Sequence, residues 1–523
     1  MVRPPVSLRI TWLGMSGPQS NIFSAGGTLP TSRIVLSIVP AFILSFGLVS
    51  SVVKERLFLG EATIATAIGI MLGPHGAGLF DPRSWTDNFD HLLLEVTRVV
   101  IALGVFAVGA ELPRRYLLKE WRSLAILLGP NMLYGWLSCA ALIYGLLPKT
   151  TLLQALAMSS AVTPTDPILA ASVVGRSVFA RKSVPSHIRE LLTAESGSND
   201  GSAYPFALLA IQLLLRGDQN GRRSRGLLGL LYQIALAIVF GTVSGLLANR
   251  ALRLAHQHAW MDRESLVAFE LVLSLVVDQT AAMAGLDDLL ATFCAGAAFG
   301  WDGEHALAIE GSNWSQTLDM LVNWSCFAFI GATVPFYAFV DPNLNLGLGR
   351  LFAVVVTVLL LNRMPIILAL KPFTPALKNW REAAFVGHFG PVGVGAIFIS
   401  TYAKTYLPTP AYPPITEADR LALIIQPVVY MLVLSSIVVH GLSIPFFVGV
   451  TSVSSSLMSS RRPSFDDLKK AELGGRLSSP IDYPPRPDAV FAVADPPGRP
   501  RVRLCIPRTP SPRVNKAPAP QSA

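Results

Sequence analysis

Between Thr193 and Gly201 the chain reads Thr-Ala-Glu-Ser-Gly-Ser-Asn-Asp-Gly, at the head of an apolar segment that ends near Leu215. Two carboxylates, an amide and hydroxyls are expensive to hold at the edge of a membrane-length run, and ionisable groups at that depth mark ion or proton paths. On a helix turning about 100° per residue, Glu195 and Asn199 fall about 40° apart, and so do Ser196 and Asp200. The two pairs make adjacent stripes, so one helix face can carry a salt-bridge partner and a cation site side by side.

A second buried acid is expected in the segment 151–174, which contains Thr163-Pro164-Thr165-Asp166-Pro167. The two prolines remove backbone donors and push the residues before them out of the α region. Non-helical backbone at membrane depth survives only where protein buries it or where it lines a cavity. The segment is therefore expected to be two half-helices meeting at Thr165-Asp166. Freed carbonyls there can coordinate a cation, and a carboxylate beside a half-helix N-terminus offsets its positive dipole end. The segment 383–403 is interrupted in the same way, by Gly387-His388-Phe389-Gly390-Pro391-Val392-Gly393-Val394-Gly395.

These segments belong to a chain of 523 residues that is 51% hydrophobic and only 14% charged. Soluble domains run near 25% charged, so the composition reads as an all-α, multi-spanning membrane protein. Apolar segments are predicted near 34–53, 61–80, 92–112, 123–147, 151–174, 191–215, 227–248, 265–284, 287–301, 317–340, 351–370, 383–403 and 421–448, thirteen in all. The one at 287–301 is the shortest. With the N-terminus outside, the inner loops carry sixteen Lys and Arg against nine in the outer loops. That bias favours a cytoplasmic C-terminus, although the run Arg222, Arg223 and Arg225 lies on the other side. Five-span repeats at segments two to six and nine to thirteen put the two interrupted segments at matching fourth positions. Paired interruptions of this kind point to an inverted-repeat transporter with its site where the breaks cross. Proline and glycine are frequent in membrane helices generally, which accounts for one such segment better than for two in register, one with an Asp.

Residues 1–30 are Gly-, Pro- and Ser-rich and show no compact leader, so no cleaved signal peptide is expected. The domain organisation expected is a flexible segment at 1–30, a transmembrane domain at 31–450 whose mobile core includes 151–215 and 351–403, and a tail at 451–523. The tail holds thirteen Pro and eleven Ser, with twelve Lys and Arg against six Asp and Glu. It is expected to be disordered and cytoplasmic, and a basic stretch beside a membrane answers to anionic lipid rather than to nucleic acid. Ser479-Pro480, Thr509-Pro510 and Ser511-Pro512 are candidate phosphorylation sites or plain linker. The four cysteines form neither a disulfide framework nor a metal spacing, and no cofactor is expected.

Five stretches in order resemble the cation/proton antiporters, specifically the fungal plasma-membrane alkali-cation/H⁺ branch: Thr163-Pro-Thr-Asp-Pro167, Glu195-Ser-Gly-Ser-Asn-Asp-Gly201, Gly285-Leu-Asp-Asp-Leu-Leu290, His388-Phe-Gly-Pro-Val-Gly-Val-Gly-Ala-Ile-Phe398 and Val439-His-Gly-Leu-Ser-Ile-Pro445. The resemblance implies thirteen spans with two crossed, interrupted helices, a dimerisation part beside a mobile core, a homodimer, and a multi-pass location in the plasma membrane. It makes Asp200 the carboxylate that holds either a proton or an alkali cation, with Asn199 as its partner. Ser196 and the Thr165 backbone become further cation ligands, and Asp166 the crossing-point acid. Glu195 and Arg363 become a core ion pair, and Glu111, in Gly109-Ala-Glu-Leu-Pro113, a nearby acid. Asp262, Asp287 and Asp288 match acidic positions of the fungal branch. The tail is much shorter than in some members of that branch.

The residues alone leave several plainer roles open. Glu111 sits beside the basic run from Arg114 and can simply be neutralised there. Asp287 and Asp288 open a short span, where acids serve as helix caps. Arg98 can pair with Glu95 at i+3. His388 and His440 are candidates for a proton relay or for hydrogen-bonded core histidines. The function expected is exchange of Na⁺, Li⁺ or K⁺ for H⁺ by alternating access, serving alkali-cation tolerance and pH homeostasis. A cation channel lined by the same acids is the alternative, but no repeated filter loop or ring of charge is evident. No Gly-x-Ser-x-Gly elbow or His-Glu-x-x-His motif suggests an enzyme.

Overall fold

The computed structural model describes residues 37, 40–48, 60–170, 184–215, 223–258, 260, 263–303 and 314–459. Within them the apolar segments are helices, and among the described residues no strand forms. The principal helices are α1 (Glu61–Leu72), α2 (Phe89–Ala110), α3 (Trp121–Leu146), α4 (Leu152–Val162), α5 (Ser186–Leu215), α6 (Arg223–Gln257) and α7 (Arg263–Met283). They continue as α8 (Asp288–Phe299), α9 (Trp314–Ala332), α10 (Leu348–Leu361), α11 (Met364–Leu370), α12 (Trp380–His388), α13 (Val394–Thr405) and α14 (Glu417–Ser459). Residues 1–36, the 460–523 tail and Asp262 lie outside the described residues.

Local chemistry sets several of the starts. Thr151 and Gln154 form a reciprocal capping box at α4. Asn88 caps α2 and Asp287 caps α8, each side-chain oxygen accepting a backbone N–H of the first turn. Inside the helices, hydroxyls turn back on their own backbone: Thr97 to Leu93, Thr292 to Asp288 and Thr401 to Ile397. Such bonds let a polar side chain sit in an apolar layer without an orphaned donor. Among the described residues, five stretches are long and apolar enough to cross a membrane: Phe89–Ala110, Trp121–Leu146, Tyr232–Ala255, Leu348–Phe373 and Glu417–Ser443.

Both expected interruptions are present. Helix α4 ends at Val162, the backbone leaves the helix over Thr163–Asp166, and a turn restarts at Pro167–Ala170. Helix α12 ends at His388 and α13 begins at Val394. The short span expected at 287–301 is the helix α8. Further irregularities appear in segments expected to be continuous. The segment 351–370 breaks at Asn362-Arg363, with Pro365 in the first turn of α11. Helix α3 contains a π-helical turn at Leu127–Asn131 around Pro130. Helix α9 stops at Ala332, three residues before Pro335.

Helix α5 is the centre of the site. It packs against α4, α13, α2 and α8, while α3 lies against α4 and α10. Its stretch from Ala194 to Gly201 is entirely buried.

Candidate functional site

The two breaks meet at Asp166. Its backbone N–H donates to the Pro391 carbonyl at 2.8 Å, joining one interruption directly to the other. Its carboxylate is shared: Oδ1 accepts the Leu169 N–H at 2.7 Å and Oδ2 accepts the Gly395 N–H at 3.1 Å. One buried acid thus satisfies orphan donors at the starts of two half-helices, where the dipole favours a negative charge. Ser436 on α14 supports the same crossing, its hydroxyl accepting the Val392 N–H at 2.8 Å.

Thr165 is held from α5. Its backbone N–H donates to Asn199 Oδ1 at 3.2 Å, and the Asn199 amide donates to Thr165 Oγ1 at 2.9 Å. The amide therefore fixes the non-helical turn at Thr165.

Asp200, the next residue of α5, is 1% exposed, and its Oδ2 has no hydrogen-bond partner among the described residues. It lies against the start of α13. A Cβ at Gly395 would fall 2.6 Å from Asp200 Oδ1, and one at Gly393 would fall 2.6 Å from Asp166 Oδ2. Only glycine at these two places lets both carboxylates approach the same half-helix N-terminus. Ser196, on the Asp200 stripe one turn earlier, is buried and donates its hydroxyl to the Leu192 carbonyl at 2.5 Å. Its oxygen can still accept or coordinate.

The other stripe carries the ion pair. Glu195 is fully buried and meets Arg363 at two points, 2.7 and 2.6 Å. Arg363 occupies the break between α10 and α11, and its Nε donates to the Val386 carbonyl of α12. Asn131, inside the π-helical turn of α3, adds a 3.4 Å bond to Glu195 Oε1. This pair bonds α5, α3, α12 and the α10–α11 break into one unit. Reading the sequence missed Asn131, although Pro130 beside it signals the irregular turn that aims the amide inward.

The accessory positions separate. Glu111 is the C-cap residue of α2 and is exposed. Asp287 and Asp288 are buried, and Asp287 Oδ1 is the cap of α8. Asp288 accepts the Tyr204 hydroxyl at 2.5 Å and lies 3.3 Å from Arg98 Nε. Arg98 also makes the expected pair with Glu95, at 2.8 Å. His388 bonds Ser443 Oγ at 2.8 Å, and His440 Nε2 approaches the His388 carbonyl at 3.0 Å, so both histidines tie α14 to the second break.

With this geometry in place, the relatives are informative. A probable Na(+)/H(+) antiporter of Schizosaccharomyces pombe is 41% identical over 425 residues, 79% of this chain and 56% of that protein. An Na(+)/H(+) antiporter of Saccharomyces cerevisiae is 39% identical over 427 residues, 79% of this chain and 43% of the relative. The chain spans about half the length of these relatives and of the similar Zygosaccharomyces rouxii protein. A second Schizosaccharomyces pombe Na(+)/H(+) antiporter is 35% identical over 457 residues, 86% of this chain and 97% of the relative. The solved sodium proton antiporter MjNhaP1 of Methanocaldococcus jannaschii shares the fold, with a TM-score of 0.59 at 17% identity, over 80% of this chain and 99% of that one. The family described as sodium/hydrogen exchanger, transmembrane, matches residues 41–449, and the chain therefore belongs to that family of multi-pass membrane proteins.

Proposed function

We propose that this protein exchanges Na⁺, Li⁺ or K⁺ for H⁺ across the plasma membrane, and so supports alkali-cation tolerance and pH homeostasis. One observation carries the reading: Asp200 is buried against the start of α13, beside the crossing of the two interruptions, with a carboxylate oxygen that has no hydrogen-bond partner among the described residues. A bare carboxylate in that place is costly, and either a proton or a cation relieves the cost. If the loaded forms cross between the two access states and the bare form does not, competition for one carboxylate is sufficient for exchange. The Thr165 carbonyl, Ser196 Oγ and Asp200 offer an all-oxygen ligand set, which suits a hard alkali ion. Asn199 and Asp166 position that set, and the Glu195–Arg363 pair holds the core rigid around it. Thirteen spans, a homodimer and a core that rocks against a dimerisation part belong to the same proposal.

Purified protein in liposomes tests it. Asp200→Asn is nearly isosteric and is expected to keep the wild-type melt while losing Na⁺-, Li⁺- and K⁺-driven proton flux. In wild type, a falling pH protonates Asp200, so apparent cation affinity falls with pH while the maximal rate stays largely unchanged. Robust cation-driven flux from folded Asp200→Asn protein, or unitary currents from wild type, overturns the reading.

A further inference from the structure

A cavity of about 270 Å³ lies one turn from Asp200. Its polar lining includes Arg98, Tyr204, Gln233, Asp287 and Asp288, with Tyr402 and Tyr406 beside them. Tyr204 follows Asp200 by four residues on α5, so the two share a stripe, about 6 Å apart along the axis. A Cβ at Gly201, the residue between the Asp200 turn and the cavity wall, would lie 3.0 Å from Asp287 Oδ1. The cavity and the crossing are thus neighbours on the same helix, and the space is large enough for several waters.

Its two acids are not equivalent. Asp288 is already neutralised: Arg98 lies 3.3 Å from one oxygen and the Tyr204 hydroxyl donates to the other at 2.5 Å. Arg98 is in turn shared with Glu95 and lies over the Phe398 ring. Among the described residues, no cation pairs with Asp287. Its Oδ1 accepts the Leu290 N–H, and its Oδ2, on a residue 5% exposed, has no hydrogen-bond partner. A helix cap needs one carboxylate oxygen, so the second is surplus to that role. On α7, Asp278 is fully buried and also leaves one oxygen, Oδ1, unpartnered. Asp278 interacts with both Arg98 and Asp288, so this part of the bundle holds more carboxyl groups than the one guanidinium can pair.

We propose that this cavity is a second cation-binding station, with Asp287 as its anionic ligand. It receives a partly hydrated alkali ion from the face that carries the α7–α8 turn and passes it along the Tyr204–Asp200 stripe. Asp288 is not the ligand, because Arg98 already occupies it. The waters and the tyrosine and glutamine oxygens complete an oxygen shell of the kind such an ion takes. The station rests on the exchange reading for Asp200 as its destination, but binds without Asp200.

That independence defines the experiment. Sodium NMR line broadening, titrated with Na⁺ on full-length purified Asp200→Asn protein, is expected to show saturable binding that K⁺ or Li⁺ displaces. Asn caps a helix as well as Asp does, so Asp200→Asn/Asp287→Asn is expected to melt like the single variant yet lose the saturable signal. Asp200→Asn/Asp287→Glu is expected to keep it. Leu208→Trp in the Asp200→Asn background fills the cavity from an apolar lining position and is expected to abolish the signal without removing a charge. No saturable Na⁺ binding by Asp200→Asn protein overturns the station, as does binding that survives Asp287→Asn or Leu208→Trp. Those outcomes leave exchange at Asp200 intact, whereas flux through Asp200→Asn protein would remove the exchange reading itself.

Discussion

Arg363 grips Glu195 as a fork, Nη1 to Oε1 at 2.7 Å and Nη2 to Oε2 at 2.6 Å, across 168 residues of chain. Both side chains are buried, Asn131 adds a further bond to Glu195, and the Val386 carbonyl accepts from Arg363 Nε. Removing one member strands the other charge, at a cost of about 3–5 kcal/mol. Glu195→Gln and Arg363→Ala are each expected to lower the yield and melting temperature of detergent-purified protein. The charge-swapped double variant is expected to recover part of the loss. Single variants that melt like wild type would show that the fork contributes nothing to stability.

Gly395 gives Asp200 its place. Since a Cβ there would lie 2.6 Å from Asp200 Oδ1, Gly395→Ala is expected to displace the carboxylate and weaken apparent cation affinity in liposome flux. The control is Gly349→Ala on α10, where a Cβ would meet nothing within 4 Å. That change is expected to leave flux unaltered and, if anything, to stabilise the helix by about 0.4–1 kcal/mol. Equal apparent affinities in the two variants would separate Gly395 from the site.

Asp166 caps two half-helices with two oxygens. An amide has only one acceptor, so Asp166→Asn keeps one cap and leaves the other buried N–H unpaired, at about 1–3 kcal/mol. The expected result is a lower melting temperature together with reduced flux. Asp200→Asn, by contrast, loses flux without loss of stability. A full loss of flux at an unchanged melt would instead make Asp166 a second exchange carboxylate.

On the proposed thirteen-span arrangement, positions 218 and 460 are expected to fall on opposite sides of the membrane. With the native cysteines replaced, single cysteines at these positions are expected to react with an impermeant maleimide from different faces. Labelling of both from one face would overturn the thirteen-span arrangement.

The chemistry of this site is largely legible in the linear chain. A Pro-Thr-Asp-Pro run cannot stay helical, and Asp166, Glu195 and Asp200 are too costly in apolar segments to be incidental. The stripe geometry of α5 follows from helix periodicity alone, and the structure uses both stripes, one toward Arg363 and one toward the crossing. Pro130 and Pro365 carried the same kind of local signal for the turn in α3 and the break beside Arg363.

What tertiary packing decided is which partner each group meets. Nothing near Asp166 in sequence indicates that one of its oxygens caps α13, more than two hundred residues away. Arg98 has its expected partner at Glu95, but Asp288 is its neighbour only because α8 packs against α2. Asp287 and Asp288 are adjacent in sequence, yet one is paired and the other keeps an unpartnered oxygen. Glu111 has the residue type of a site member and is exposed at a helix end. Steric rules and helix periodicity act within a segment, so the sequence determines where a helix breaks and which side chains share a face. The depth of a charge, and the atom opposite it, depend on segments that meet only when the bundle closes.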